Sequence, residues 1–232
     1  MSESFWDEAT FTGKLREVGA SSYHDKHPFH LLMNEGRLSP DAVRGWVANR
    51  FYYQINIPIK DAAILSNCPL RDVRREWIYR IVEHDGTQGD EGGIAAWLRL
   101  GEACGLARAD LLDSRHVVPA VRFAVDAYVN FARTQPWPVA IASSLTELFA
   151  PDLMAKRLEA FQTYYPWVQP WGFDYFNRRL TKARQDSDCA IKLTLAYCNT
   201  PELQQAAVDA LAFKCDLLWA ILDGIAGKFP AE

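Results

Sequence analysis

The sequence lacks a long apolar run and an excess of basic residues. The apolar stretch at residues 217–222 follows Lys214 and Asp216 and ends at Asp223, whereas a helix that spans a membrane needs about 18 to 20 apolar residues. The formal net charge is −4 over 232 residues, and domains that bind nucleic acid usually carry a basic excess. We therefore expect neither a membrane nor a nucleic acid as a partner.

Closely spaced cysteine pairs are lacking as well. The five cysteines are widely separated and include no C-x-x-C pair, so the sequence predicts neither a disulfide framework nor a zinc knuckle. The N-terminus is acidic and has neither the basic nor the apolar segment of a secretory signal. We expect reduced thiols and a cytoplasmic location.

Several catalytic motifs are missing. The glycine-rich stretch 86–93 matches neither phosphate-binding loop, and there is no H-E-x-x-H, no Glu-x-x-His pair of di-iron bundles and no G-x-S-x-G elbow. His24, His27 and His30 recur every three residues, but Pro28 interrupts them and no acidic ligand follows at matching spacing. We interpret His27 and His30 as residues of a helix entry and predict no metal site.

Helical periodicity extends over nearly the whole chain, and no stretch alternates as a strand does. Ser39-Pro40 and Thr200-Pro201 each combine an N-cap hydroxyl with a proline in the first turn, which predicts a long helix after each. No linker, repeat or change in composition divides the chain. The sequence therefore predicts an all-α protein, a compact helical bundle that forms one domain over residues 1–232.

Nine helices are expected in this bundle. Pro58 lies inside the second of them and predicts a kink there, beside polar groups that suggest a cavity. The glycine-rich stretch 86–93 is predicted to be a turn between two helices. The approximate bounds are Asp7–Val18, Pro40–Cys68, Asp72–His84, Glu91–Cys104, Pro119–Arg133, Val139–Phe149, Asp152–Tyr164, Phe173–Asn199 and Glu202–Ile225.

Cationic side chains fall on helix faces that the periodicity assigns to the core. One such side chain, taken alone, more often reaches out to solvent, but five of them together with His84 predict an interior site. Arginine and lysine at such a site suit a small molecule with several carboxylates, and Glu147 is a candidate counter-charge or ligand hydrogen-bond acceptor. The five cationic residues are Arg50, Lys60, Arg80, Arg179 and Lys214.

Five blocks of the sequence resemble the pyrroloquinoline quinone (PQQ) synthase family, and the similarity extends from about Tyr23 to Asp223. It implies a haem-oxygenase-like helical fold, a homodimer, and an enzyme with neither a metal nor an organic redox cofactor. It also implies the last step of PQQ biosynthesis, which is ring closure and eight-electron oxidation of a bicyclic quinone precursor with O2 as acceptor and H2O2 as a product. The blocks are Trp46–Gln54, Pro58–Ile64, Glu83–Gly86, Val121–Tyr128 and Ser143–Pro151.

The resemblance also implies roles for individual residues. His84 is expected to transfer protons, since imidazole titrates near neutral pH, and Tyr175 and Arg179 are expected to flank an oxygen and peroxide pocket. Family members carry a histidine where this chain has Met154, which cannot transfer a proton, so Met154 is left out of the catalytic set. The expected substrate-binding residues are His24, Arg50, Gln54, Lys60, Arg80, Tyr128, Thr146, Glu147, Arg157 and Lys214.

Three alternatives remain open at this point. A thiaminase-like hydrolase of the same fold needs a cysteine nucleophile in its pocket, and a metal-dependent oxygenase needs a cluster of carboxylates and histidines. A non-catalytic carrier binds the quinone without consuming O2. A peptide-carrier domain, or a separate protein of the same pathway, is a further possible partner.

Overall fold

The computed structural model describes residues 5–231, apart from the side chains of residues 181 and 183–186. These residues form eleven α-helices and three short 3-10 helices and no strand, which confirms the predicted all-α class. The ends of the predicted domain, residues 1–4 and 232, lie outside the described residues.

The helices follow one another with short connections. The 3-10 helices are His24–Lys26, Leu145–Phe149 and Pro170–Phe173. The α-helices are α1 (Glu8–Ser22), α2 (Pro28–Asn34), α3 (Pro40–Asn67), α4 (Arg71–Asp85), α5 (Gly92–Ala103), α6 (Arg108–Leu112), α7 (Pro119–Thr134), α8 (Trp137–Ala142), α9 (Ala150–Tyr164), α10 (Asp174–Tyr197) and α11 (Pro201–Lys228).

Eight of the nine predicted helices are present with bounds shifted by a few residues, but the prediction for Val139–Phe149 is wrong. The chain leaves α8 after Ala142 and turns before the 3-10 helix Leu145–Phe149. The hydroxyl of Ser143 donates to the carbonyl of Ala140 at 2.6 Å, and such a local bond competes with regular helix. The short helices α2 and α6 were not predicted, because few turns leave little periodicity to read.

The predicted helix starts are confirmed. The hydroxyl of Ser39 accepts a hydrogen bond from the amide of Ala42 at the start of α3, and that of Thr200 accepts one from Leu203 at the start of α11. His27 is the N-cap of α2, with Nδ1 accepting from the amide of Phe29, which confirms its interpretation as a helix-entry residue.

The glycine-rich stretch is a turn between α4 and α5, as predicted. Gly86 has φ 87° and Gly92 has φ 76°, a region that L side chains rarely adopt. A Cβ built on Gly86 would lie 2.4 Å from the carbonyl oxygen of Asp90. This tight turn ends α4 just after His84 and so fixes where that histidine lies.

The long helix α3 runs through the centre of the bundle. It packs against α4, α5 and α7, while α11 packs against α1, α7 and α8. Trp46, Trp77 and Trp97 are almost fully buried between these helices. α3 continues through Pro58, and the predicted kink there stays a prediction.

None of the five cysteines, all within the described residues, forms a disulfide. None of the described helices combines the length and the apolar composition that a bilayer crossing requires.

Candidate active site

A small polar cavity lies inside the bundle, with a volume of about 40 Å³. Eight of the thirteen predicted site residues line it, and they come from α3, α4, α10 and the segments around the 3-10 helices. Gln54 and Ile57, which precede Pro58 on α3, are part of this wall, so the predicted cavity beside the proline is confirmed. The eight are His24, Arg50, Gln54, His84, Thr146, Glu147, Tyr175 and Arg179.

The other five predicted residues, Lys60, Arg80, Tyr128, Arg157 and Lys214, are buried but do not line the cavity as it stands. They lie behind its wall and contact the wall residues or each other. Lys60, Arg80 and Lys214 are buried as their inward helix faces predict, and none is more than 3% exposed.

Asp61 joins two of these cations. Lys60 Nζ lies 2.5 Å from Asp61 Oδ1, and Arg80 Nε donates to Oδ2 at 3.4 Å. Trp77 Nε1 donates to Oδ1 at 3.0 Å, and Lys60 also donates to the hydroxyl of Ser144 at 2.9 Å. Burial alone would raise the pKa of Asp61, but the charges of Lys60 and Arg80 outweigh it and hold that pKa below its ordinary value.

Lys214 has no solvent exposure. Its Nζ donates to the hydroxyl of Tyr53 at 2.7 Å and lies 3.4 Å from the centre of the Tyr128 ring. Burial, followed by the positive charges of Lys60 and Arg50, lowers the pKa of Lys214 well below its ordinary value. Tyr53 lines the cavity, so Lys214 lies directly behind the wall.

His84 has a defined tautomer in its neutral form. Its Nδ1 lies 2.8 Å from the carbonyl oxygen of Arg80, one turn earlier on α4. A carbonyl oxygen only accepts, so Nδ1 carries the hydrogen and Nε2 carries a lone pair. His84 is buried and lines the cavity, which makes Nε2 a suitable proton acceptor there.

Glu147 is a counter-charge to the cations of the site, which is one of the two roles expected for it. Its Oε2 accepts from the guanidinium of Arg179 at 2.5 Å, and Oε1 lies 3.6 Å from that of Arg80. The Glu147 side chain is 18% exposed. This internal carboxylate therefore contacts two cations of the site.

Arg157 on α9 lies behind the cavity wall, near two histidines, His24 and His30. Its guanidinium donates to His30 Nε2 at 3.0 Å and lies over the ring of Trp46, while His30 Nδ1 lies 2.9 Å from the carbonyl of His24. Burial is the main cause that lowers the pKa of both histidines well below their ordinary value and that of Arg157 to about 9. The two imidazoles are therefore neutral.

Met154 and Tyr175 complete the wall near Arg179. Met154 is buried and lines the cavity, so the position where family members are expected to carry a histidine belongs to the site. Burial raises the pKa of Tyr175, which keeps its phenol protonated, and its ring meets Trp97 edge to face at 4.5 Å.

The sequence analysis missed three polar residues of the site. Asp61 and Glu83 are buried carboxylates, and Tyr53 lines the cavity and accepts from Lys214. A signal was available for Asp61, because Lys60-Asp61 interrupts an otherwise apolar helical stretch. Two neighbouring opposite charges there favour a buried pair over a solvated face.

The side chains around the cavity are relevant to two of the alternatives, the thiaminase-like hydrolase and the metal-dependent oxygenase. No cysteine is among the described residues that line the cavity. Burial raises the pKa of Cys215, which follows Lys214, to about 11, whereas a nucleophilic thiol needs a lowered pKa. Across residues 5–231, leaving aside the undescribed side chains of α10, no three His, Cys, Asp or Glu side chains are grouped as metal ligands.

Comparison with known proteins places the chain in a family. The model of the TENA/THI-4/PQQC family matches residues 13–224. The chain belongs to the TENA/THI-4/PQQC family. This match, together with relatives named pyrroloquinoline-quinone synthase at 50% to 54% identity, confirms the resemblance stated from the sequence blocks.

Relatives within the TENA/THI-4/PQQC family are similar over the whole chain. A protein of Pseudomonas aeruginosa named pyrroloquinoline-quinone synthase is 53% identical over 232 residues, which is 100% of this chain and 92% of the relative. Proteins of the same name from Acinetobacter baylyi and Cronobacter sakazakii are 50% and 54% identical, covering 100% and 96% of this chain and 91% and 88% of the relatives.

Solved structures agree with the helical architecture. A domain of unknown function from Shewanella denitrificans, described as having a heme oxygenase-like fold, superposes with a TM-score of 0.80 at 15% identity, covering 97% of this chain and 94% of that one. A CADD-like protein of unknown function from Nostoc punctiforme gives a TM-score of 0.78 at 12% identity, covering 95% and 97%. The expected haem-oxygenase-like fold is confirmed.

Proposed function

We propose that this chain is a pyrroloquinoline-quinone synthase, the oxidase that completes PQQ from its bicyclic quinone precursor. The observation that carries the proposal is a single cavity wall that holds His84, Tyr175 and Arg179 in a chain 53% identical over its whole length to proteins of that name. The reaction is ring closure and eight-electron oxidation, with O2 as acceptor and H2O2 as a product.

The charge of the site supports a ligand with several carboxylates. Arg50 and Arg179 line the cavity, and Lys214 lies just behind it. A guanidinium in a desolvated site binds a carboxylate strongly through two parallel hydrogen bonds. Pockets for ligands of this size measure about 300 to 1,000 Å³, so the cavity of about 40 Å³ has to open, and Glu147 has to yield part of its contact with Arg179, before the ligand fits.

His84 supplies the proton chemistry in this proposal. Each oxidation step removes a proton from a ring carbon or nitrogen, and the lone pair on Nε2 accepts it while the electrons leave through the substrate to O2. The positive charge of Arg179 stabilises the anionic reduced oxygen that forms, and the protonated phenol of Tyr175 is a hydrogen-bond donor to it. A deprotonated substrate supplies the electrons itself, which is why we propose no metal and no organic redox cofactor.

Anaerobic mixing followed by an oxygen pulse tests the proposal. Purified protein of measured metal content is mixed with the quinone precursor under anaerobic conditions, and absorbance and peroxide are recorded after O2 is added. We expect PQQ and H2O2 at a rate that does not follow metal content. Tight binding without oxygen uptake would instead identify the carrier, and loss of turnover on replacing the cysteines would identify the thiaminase-like alternative.

The homodimer, the cytoplasmic location and a peptide-carrier partner from the same pathway belong to the same proposal. Sedimentation equilibrium tests the first of these. A mass of twice the 26.3 kDa chain, independent of concentration in the micromolar range, is expected. A mass of one chain would contradict the dimer and leave the proposed reaction unaffected.

Substituting Lys214 is expected to change how ligand binding depends on pH. A ligand carboxylate favours the protonated amine, and the pKa of Lys214 in the free protein is depressed. Affinity in the wild type is therefore highest below that depressed pKa and falls as pH rises through it, with a proton taken up on binding. Lys214→Met removes this pH dependence and weakens binding at the lower pH.

The measurement is the Kd for PQQ between pH 6 and pH 9, with calorimetry in buffers of different ionisation enthalpy to count the proton. Lys192→Met is the matched control, because the Lys192 side chain is 66% exposed and pairs with Glu76 at the surface. Identical pH profiles for the wild type and Lys214→Met would contradict the prediction.

A further inference from the structure

Glu83 is a buried carboxylate to which the proposed reaction has so far assigned no task. It precedes His84 on α4, and its side chain is 3% exposed. Neither carboxylate oxygen has a hydrogen bond within the described residues, and a buried carboxylate without charge partners is costly. Something must compensate this charge.

The compensating groups are two residues of the proposed catalytic set. Oε2 of Glu83 lies 3.2 Å from His84 Nδ1 and 3.5 Å from the Arg179 guanidinium. α4 and α10 thus meet at this carboxylate, which connects the expected proton acceptor to the cation of the oxygen pocket. No other carboxylate has a contact with both side chains among those described.

The edge of His84 that faces Glu83 is the edge that does not react. Nδ1 donates to the carbonyl of Arg80, and Glu83 lies beside the same nitrogen, so the imidazole is held with its lone pair on Nε2. When Nε2 takes a proton from the substrate, the ring becomes positive and its electron pair is used in the new N–H bond. The Nδ1 hydrogen stays on the ring, and no proton passes to Glu83 in this step.

The negative charge of Glu83 favours a positive His84 and offsets the positive charges of nearby arginines. Arg80 and Arg179 disfavour a positive His84, whereas carboxylates favour it. From α5, Gly92 and Gly93 approach the backbone of His84, and neither carries a side-chain charge. The charged and titratable groups around His84 are Arg80, Glu83 and Asp85 on α4, Asp61 on α3, Tyr175 and Arg179 on α10, and Glu147 on the 3-10 helix Leu145–Phe149.

We propose that Glu83 is a positioning residue, whose carboxylate holds the Nδ1 edge of His84 and the guanidinium of Arg179 in one arrangement and compensates the positive charge that His84 gains. The proposal rests on the proposed function for the role of His84. It assigns Glu83 no contact with substrate. Its effect passes entirely through the two side chains that it holds.

The substitution Glu83→Gln removes the charge and keeps the shape. An opposite charge within about 4 to 6 Å shifts a pKa by one unit or more, so we expect the His84 pKa to fall by about one unit in the ligand-free protein. The acidic limb of the kcat profile moves to lower pH by the same amount. We expect kcat on the plateau to fall roughly 10-fold, because a weaker base accepts the proton less readily, with KM nearly unchanged.

The His84 pKa is measured by NMR titration of the five histidines, and the resonance that is missing in His84→Asn assigns it. Glu76→Gln is the matched control on the same helix, since the Glu76 side chain is 43% exposed and pairs with Lys192. Glu83→Asp keeps the charge on a shorter side chain and is expected to give an intermediate pKa and partial recovery of kcat. Should Glu83→Gln fail to fold, the titration of Glu83→Asp decides.

An unchanged His84 pKa and an unmoved acidic limb would overturn the proposal, even with a lower kcat, since a merely structural role produces only the latter. The NMR titration needs no turnover. If the wild type makes no PQQ, the proposed function fails while the role of Glu83 in setting the state of His84 is still decided by the titration.

Discussion

His84→Ala is expected to bind the quinone precursor almost as tightly as the wild type and to oxidise it roughly 10²- to 10⁴-fold more slowly, the loss typical of a removed general acid or base. The side chain is buried in the cavity wall, and its Nε2 is the nitrogen without a hydrogen. The cationic groups proposed to hold the ligand, Arg50 and Lys214, remain in place. The variant is therefore expected to lose oxidation rate while it keeps its affinity for the precursor.

Anaerobic titration gives the Kd, and an oxygen pulse on the preformed complex gives the rate of oxidation. His116→Ala is the control histidine, because His116 is 38% exposed and lies away from the cavity. His84→Asn removes the base on a smaller side chain and is expected to be as slow as His84→Ala. Wild-type oxidation by either variant would rule out His84 as the proton acceptor.

Asp61→Asn is expected to lower the free energy of unfolding by about 3 to 5 kcal/mol, the range for breaking a buried ion pair from one side. Asp61 has no solvent exposure and joins Lys60, Arg80 and Trp77. Its loss leaves two cations in the interior with less compensation. For a chain of this size, such a loss corresponds to a fall in Tm of about 6 to 20 °C.

Thermal unfolding followed by circular dichroism measures the change. Asp72→Asn is the control, since the Asp72 side chain is 91% exposed and its contact with Arg75 is 4.0 Å long. The double variant Asp61→Asn with Lys60→Met is expected to recover part of the loss, because it leaves one uncompensated cation fewer. A fall in Tm no larger than that of Asp72→Asn would show that the buried cluster does not stabilise the fold.

Asp61 also makes the free energy of unfolding depend on pH in the acidic range. The pKa of Asp61 is lower in the folded protein than its ordinary value, so its stabilisation is present above the unfolded pKa of about 4 and is lost as pH falls through the folded value. The wild type is therefore expected to lose more stability than Asp61→Asn on acidification below pH 4, so that the two curves converge.

The sequence predicted the helices where a local signal starts them. Ser39 and Thr200 cap α3 and α11 as expected, because an N-cap acts through atoms three residues away and can be read locally. The break after Ala142 could not be read in this way. The segment from Val139 to Phe149 has helical spacing throughout. The hydrogen bond of Ser143 to the carbonyl of Ala140 competes with regular helix there, and the spacing does not reveal it.

The sequence predicted only part of the site, because contacts between different helices cannot be read from a local pattern. Periodicity identifies a cation on an inward helix face, as with Arg80 and Lys214, but it does not say which partner from another helix meets it. The contacts of Asp61 with Arg80 and of Glu83 with Arg179 join residues 19 and 96 positions apart. Such pairs depend on how the helices pack, which is a property of the whole bundle.

The pairing of Glu147 with Arg179 and Arg80 affects how a ligand affinity measured for this protein is interpreted. A ligand carboxylate that binds Arg179 or Arg80 does not meet a free guanidinium group, since an internal carboxylate already contacts both. At these two arginines the proposed binding would exchange one anion for another, so the measured free energy would be the difference between two sets of ionic contacts. Weak binding of a highly charged ligand would therefore be compatible with strong contacts in the complex, and Glu147→Gln would tighten binding while making no new contact.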